Sequence, residues 1–320
     1  MINREENMAI KHATLRQLKV FEAVARNLSF TRAAEELHLT QPTVSIQLKQ
    51  LADIVDLPLL EQIGKRIHLT DAGCELLVVC RNIFEGLSRF EMLISDMKGV
   101  KAGKLRLAVI TTAKYFIPRL LGPFCERYPG IEVSLKVTNR ERILQRMADN
   151  EDDLYVLGQT PEHMEVELEP FLENPLVVLA ASSHPLAAEK NITLQRLVDE
   201  PFLMREPGSG TRLATERFFG ERGLKLKVRM ELGSNEAIKQ AVAGKLGIAV
   251  LSAHTLALER GSNQLVVLDV PGFPIRRHWY VAYPKDKQPT VVALAFLDFL
   301  REESKLLGEN YLRDITGFPT

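Results

Sequence analysis

The run Arg205-Glu206-Pro207-Gly208-Ser209-Gly210-Thr211-Arg212 is the part of this chain best suited to holding a small anion. It lies between the apolar segment PFLM and a helix expected to begin near Thr211. Glycines let backbone N–H groups approach a ligand, Ser209 and Thr211 add hydroxyls, and a helix start carries partial positive charge. A phosphate or a carboxylate would fit. A structural turn with a helix cap would use the same residues, with Arg205 and Arg212 pairing with Glu206 or Glu216 on the surface. The Gly-x-x-x-x-Gly-Lys-Ser/Thr spacing of a phosphate-binding loop is absent, so nucleotide hydrolysis is not indicated. Catalysis finds no support either. The 7 histidines are scattered, and no Ser-His-Asp or Cys-His arrangement has a credible context.

A second chemistry is written between Leu28 and Thr70. Gln41, Pro42, Thr43, Ser45 and Lys49 fall on the outward face of one expected helix, with short hydroxyl or amide side chains suited to base edges and phosphates. Thr31 and Arg32 at the start of the preceding helix, Thr40 at the junction, and Lys65 and Arg66 in a basic wing complete the candidate DNA contacts.

These residues need particular elements to hold them. Ser29 caps a first helix whose apolar face is Ala33, Ala34 and Leu37, and Thr40 starts the second, with Pro42 in its first turn where a missing N–H costs nothing. From Asp71 a proline-free stretch carries Leu76, Cys80, Ile83, Leu87, Phe90, Ile94 and Met97 at alternating steps of four and three, a heptad seam. Such a helix is about 40 Å long and should pair with a second copy, although a long helix packed on its own domain would show the same stripe. Two reading helices held about 34 Å apart would then meet successive major grooves. After Gly99–Gly103, a linker by composition, KLRLAVITT, residues 118–128, IEVSLKVT, residues 142–150 and DLYVLGQ read as β-α-β-α-β. A second α/β unit begins near Asn174.

The chain has 320 residues, 46% hydrophobic content and a formal net charge of +0, whereas nucleic-acid binders usually show a basic excess. Bulk attraction to DNA should therefore be weak, and DNA reading requires the acids Glu35, Glu36, Asp53, Asp56 and Glu61 to be segregated from the reading face. No apolar run has the length of a membrane span, and the charged start MINREENMAIKHA is unlike a signal peptide, so a cytoplasmic location with no membrane partner is expected. The cysteines Cys74, Cys80 and Cys125 read as buried free thiols, and no Cys/His cluster has zinc spacing.

The strings FEAVARNLSFTRAAEELHLTQPTVSIQLKQLAD and LPLLEQIGKRIHLTDAG resemble the LysR-type transcriptional regulators. The Gln41-Pro42 opening, the Leu57-Pro58-Leu59 exit and the Leu69-Thr70-Asp71-Ala72-Gly73 ending follow the family order. Ile46 and Gln62 depart from it, standing where relatives carry a basic or polar residue and an arginine, so Lys49, Lys65 and Arg66 must carry more of the phosphate contact. The resemblance implies an N-terminal all-α winged helix-turn-helix over 1–70, a long linker helix over 71–98 and a hinge at 99–103. It further implies a C-terminal α/β effector module of two periplasmic-binding-protein-like subdomains, 104–173 plus 276–307 and 174–275, with a tail at 308–320. Promoter DNA, a second copy of the chain in a homodimer or tetramer, and RNA polymerase are the implied macromolecular partners.

The implied cleft between the subdomains gathers the loops after successive strands. Thr111 and Thr112 follow the first strand, Thr138 and Asn139 the second, Gln159 the third, and Ser234 precedes a later helix. Each could equally serve as a plain cap. Together with Ser209, Gly210 and Thr211 they suit a small polar anion, with Lys114 and Arg140 at the mouth or in a subunit contact. Within the family, EPGSGTR and TQPTVSIQLKQL look most like the CbbR-type regulators of carbon fixation and their cyanobacterial relatives that govern inorganic-carbon uptake. That resemblance implies 2-phosphoglycolate, ribulose 1,5-bisphosphate or 2-oxoglutarate as effector, and neither cofactor nor metal. The competing class is a solute-binding protein, or an enzyme with an appended DNA-binding domain.

Overall fold

Side-chain caps set the starts of the first three α-helices in a computed structural model that describes residues 9–64, 66–97, 102–161, 163–257, 259 and 264–316. Thr14 opens α1 (Leu15–Asn27) with a reciprocal capping box to Gln17. Ser29 caps α2 (Phe30–Glu36) by accepting from the Arg32 N–H, and Thr40 caps α3 (Gln41–Val55) by accepting from the Thr43 N–H. The small side chains of Ala23, Ala33 and Ala34 bury beside Val20, Val24 and Val44, which lets the three helices approach closely. A hairpin follows, β1 (Leu60–Ile63) against β2 (Arg66–Leu69), antiparallel with Leu60 opposite Leu69.

The hairpin is locked to the next helix, α4 (Asp71–Met97), by one threonine. The Thr70 hydroxyl donates to the Pro58 carbonyl at 2.6 Å and accepts from the Gly73 N–H at 3.1 Å. A Cβ on Gly73 would fall 2.0 Å from the Leu59 carbonyl oxygen, so only glycine permits this approach. The Leu-Pro-Leu exit and the Leu-Thr-Asp-Ala-Gly ending are thus two sides of one junction.

Along α4 the seven-residue stripe divides. Leu76 and Cys80 are buried with Leu18, Phe21, Leu51 and Leu59 in the core of the N-terminal unit, with Ile83 packed at its edge, so the first two seam positions are already covered. Leu87 and Phe90 are exposed, as is Ile94, and the side chain of Met97 lies outside the described residues. The exposed apolar residues of the second half, Leu87, Phe90, Leu93 and Ile94, thus include three of the expected seam positions.

The chain divides into two compact units between Glu91 and Met92. The second holds two lobes. In chain order, β3 (Gly103–Ile110), α5 (Ile117–Arg127), β4 (Ile131–Thr138), α6 (Arg140–Ala148) and β5 (Leu154–Leu157) alternate, and β6 (Val166–Glu173) follows. Then come β7 (Leu176–Ala181), α7 (Leu194–Val198), β8 (Pro201–Arg205), α8 (Gly210–Gly220), β9 (Lys227–Leu232), α9 (Asn235–Ala243), β10 (Ala249–Ser252) and β11 (Leu265–Val267). The chain ends with β12 (His278–Pro284) and α10 (Val291–Thr316).

Lobe I is a five-stranded sheet in the order β4-β3-β5-β12-β6, with β3 parallel to β4 and β5 and β12 antiparallel to β5 and β6. Its core joins Leu105, Leu107 and Val109 to Phe116, Phe124, Trp279 and Phe296. Lobe II holds β10-β7-β11 and the parallel pair β8-β9 around two apolar clusters. Strand β6 was not anticipated: VELEPFLE combines a proline with three glutamates and reads as loop, and it is tolerated because it occupies the sheet edge. Of the linker expected at 99–103, residues 99–101 lie outside the described residues, and Gly103 opens β3. Cys80 alone is buried, with its thiol pushed up to about 12 by burial; Cys74 and Cys125 are exposed, contrary to expectation, and all three are free.

Candidate nucleic-acid face and ligand cleft

On α3 the buried stripe is Val44, Leu48 and Leu51, which turns the opposite side to solvent. Gln41, Pro42 and Lys49 are exposed there, Thr43 and Ser45 half-buried, and the Gln41 amide donates to the Ser45 hydroxyl at 3.1 Å. Ile46 is 56% exposed on this same face, between Pro42 and Lys49, an apolar group suited to a thymine methyl. Thr31, Arg32 and Thr40 are exposed beside it, and Arg66 on the hairpin; Lys65 lies outside the described residues. The Gln62 amide donates to the Gly64 carbonyl at 3.1 Å, fixing the hairpin turn.

Part of the acidic load is neutralised internally. Arg26 pairs with Glu36 at 2.5 Å and Glu22 at 3.3 Å, and Lys19 pairs with Glu22 at 3.0 Å. The Arg26 hydrogen bond holds the Glu36 carboxyl below the usual range. Asp53 remains exposed on the outward side of α3, so segregation of charge is partial.

In the second unit, the carboxyl ends of parallel strands and the amino ends of helices converge on one cleft between the lobes, as open α/β sheets arrange it. Thr111, Thr112, Asn139 and Gln159 line it from lobe I, and Ser209, Gly210 and Thr211 from lobe II. Thr138 and Ser234 are not in its wall: Thr138 ends β4 opposite Ile110, and Ser234 caps α9 and donates to Glu236 at 3.3 Å. Asn139 both caps α6 and reaches the cleft. Ser209 precedes α8 without a side-chain capping bond, which leaves its hydroxyl to the cleft.

The arginines were only partly legible. Arg212 turns away to Glu216 at 2.7 Å and Glu231 at 2.6 Å. Arg205 is buried, not at the surface, and its guanidinium donates to Glu206, to Asn235 at 2.6 Å and to Thr111 at 3.4 Å. Arg140 donates to the carbonyls of Gln159 and Thr160. Arg277 went unnoticed in the sequence. It stands just before β12, lines the cleft and donates to the carbonyls of Gly210, at 3.0 Å, and Gly158. Among the described residues no carboxylate pairs with it. Burial, and then the nearby charge of Arg140, pull its pKa down to about 10. A half-buried cation with a second cation nearby makes this side of the cleft electropositive. The Trp279 indole N–H, also in that wall, has no acceptor among the described residues. This donor set can hold a small oxyanion of high charge.

Next to the cleft, polar contacts bridge the lobes. The Asn235 amide donates to Thr112 at 3.2 Å, Lys114 reaches Glu236 at 3.0 Å, and the Tyr115 hydroxyl donates to Glu236. Burial opposes ionisation of Glu236, but the bonds from Tyr115 and Lys114 outweigh it and hold the pKa at about 2. Lys114 is therefore an interlobe contact. Among the described residues no His, Cys, Asp and Glu cluster could hold a metal ion, and no helix is long and apolar enough to cross a membrane.

Residues 15–74 match the bacterial regulatory helix-turn-helix protein, lysR family, and residues 98–305 match the LysR substrate binding domain. The HTH-type transcriptional activator CmpR of Synechocystis is 56% identical over 91% of this chain and 96% of its own length. The RuBisCO operon transcriptional regulator of Acidithiobacillus ferrooxidans is 55% identical over 92% of this chain and 95% of its own. Among solved structures, the Synechocystis PCC6803 CcmR regulatory domain in complex with 2-PG is 56% identical, with a TM-score of 0.62 over 64% of this chain and 99% of that one. With a capped helix-turn-helix head followed by a two-lobed α/β module, and with these matches along nearly its whole length, the chain belongs to the LysR family of DNA-binding transcriptional regulators.

Proposed function

We propose that this regulator senses a small dianionic or trianionic metabolite between lobes I and II, with 2-phosphoglycolate the first candidate. Binding would alter its hold on promoters of carbon-fixation or inorganic-carbon-uptake genes. The observation that carries the ligand class is Arg277, a half-buried guanidinium in the cleft wall with no carboxylate partner among the described residues and with Arg140 nearby. Withdrawing such a charge from water, even in part, is costly unless an anion meets it. The names of the relatives support the gene class, and the 2-PG complex of the similar regulatory domain supports the ligand.

In this reading Thr111, Thr112, Gln159, Ser209, Gly210, Thr211 and Arg277 hold the anion, and Gln41, Thr43, Ser45, Ile46, Lys49 and Arg66 meet DNA. The exposed stripe of α4 joins two copies in the cytoplasm. Ligand binding and promoter geometry are coupled because the ligand favours one arrangement of the lobes over another, and the coupling is reciprocal. Footprinting of the purified protein upstream of its own gene and of carbon-assimilation genes tests this. A protected region whose extent shifts with 2-phosphoglycolate is expected. A shift with ribulose 1,5-bisphosphate or 2-oxoglutarate alone would replace the ligand, and protection indifferent to all three would refute the sensing role.

A further inference from the structure

Two acids line the cleft, Glu141 and Glu206, and the second faces its own neighbour. The Arg205 Nε donates to Glu206 Oε2 at 2.7 Å and its Nη2 donates to Oε1 at 2.8 Å, two parallel bonds of the kind a guanidinium offers to a bound carboxylate or phosphate. The remaining bonds of this guanidinium, to Asn235 and Thr111, come from lobe II and lobe I respectively. The Arg205 side chain is 4% exposed, whereas that of Glu206 is 29% exposed and is followed by exposed Pro207 and Gly208. The carboxylate therefore has a route to water that the guanidinium lacks.

We propose that Glu206 is a tethered competitor for the ligand: its carboxylate occupies Arg205 until an incoming oxyanion displaces it toward solvent, which reserves Arg205 for groups of higher charge. This rests on the reading of the cleft as an anion site. A monocarboxylate that displaced Glu206 would exchange one bidentate pair for an equivalent one and gain little. A phosphate dianion brings more charge to the same fork, with Arg277 and Arg140 lining the same cleft. Covalent attachment makes Glu206 an intramolecular competitor that is always present, so an incoming anion must outcompete it to reach Arg205. Glu206 thus sets both a threshold and a preference.

Calorimetric titration of the full chain with 2-phosphoglycolate and with glycolate tests the proposal on the wild type, Glu206→Gln and Glu206→Asp. The amide removes the competing charge, so Glu206→Gln should bind 2-phosphoglycolate about tenfold tighter and narrow the preference over glycolate. Glu206→Asp keeps the charge but is one methylene short of spanning both N–H groups, and should tighten binding by less. If Glu206→Gln proves unfolded, the aspartate variant decides by the same criterion. Wild type that binds 2-phosphoglycolate, with variants that bind it equally or more weakly, would overturn the competitor role and leave the cleft reading standing. Natively melting protein that binds neither anion in any form would overturn the cleft reading and the competitor with it.

Discussion

Replacing Arg277 by methionine separates a ligand cation from a structural one. In the folded protein the charged form is disfavoured: the pKa falls from 12.5 to about 10 through burial and the charge of Arg140. That difference corresponds to about 3 kcal/mol at neutral pH. Against it stand two partly buried hydrogen bonds, to the carbonyls of Gly210 and Gly158, each of which costs about 1–3 kcal/mol to lose. The opposing effects are similar in size, so ligand-free stability should change by no more than about 2 kcal/mol. Binding has no such offset. A unit charge about 4 Å from an anion is worth about 4 kcal/mol before desolvation at an effective dielectric constant near 20, and a charge-assisted hydrogen bond about 1.5–3 kcal/mol net. Affinity for 2-phosphoglycolate should fall by about 10- to 150-fold by calorimetry, with Arg277→Lys intermediate because it keeps the charge but not the fork. Binding within threefold of wild type, or a methionine variant that fails to fold, would show that Arg277 supports the two glycine loops instead of the ligand.

Three further outcomes follow from the geometry. Ile46→Arg should tighten promoter binding at low salt and steepen the dependence of log affinity on log salt by about one charge, measured by fluorescence anisotropy; an unchanged slope would place this residue away from phosphates. Phe90, 61% exposed, and Leu76, 8% exposed, predict opposite phenotypes on one helix. Phe90→Glu should shift the oligomer toward monomer in sedimentation with melting nearly unchanged, while Leu76→Ala should lower stability by about 2–5 kcal/mol; equal effects on both readouts would defeat the division of α4 into two faces. His254 is held down to about 4 by burial, against 6.5 as its ordinary value. Below pH 6.5 the unfolded chain takes up a proton that the folded chain refuses, so stability declines as pH falls toward 4, by about 2 kcal/mol at pH 5. His254→Gln should flatten this decline in urea unfolding at pH 7 and 5, and an equally steep loss would assign it to other groups.

The helix-turn-helix was legible because its information is local. Caps, an alanine pair and a proline in a first turn act over four residues. The split of α4 was not legible, since a heptad records that a face is apolar without recording what covers it. Leu76 and Cys80 are covered by α1, α3 and the hairpin, a long-range fact. In the cleft, Ser209, Gly210 and Thr211 announced themselves through a glycine-rich loop before a helix. Arg277 gave one signal, an Arg276-Arg277 pair at the entry of the returning strand, which looked like surface charge. Only the antiparallel placement of β12 between β5 and β6 carries it beside Gly158 and Gly210. Thr138 and Ser234 failed for the converse reason: their types suited a ligand, while strand pairing and helix capping already used them.

Lobe II is spliced into lobe I: the chain leaves after β6 and returns only at β12, bringing Trp279, Phe296 and Phe299 to a core begun near Leu105. During synthesis, lobe I therefore emerges from the ribosome lacking an interior antiparallel strand and its covering helix, while every segment of lobe II emerges consecutively. The inserted lobe can close on local contacts first, and the host lobe must wait for the last part of the message. A nascent chain stalled before β12 would expose apolar strands, so this regulator's yield in the cell should depend on chaperone supply and on translation speed through its 3′ end.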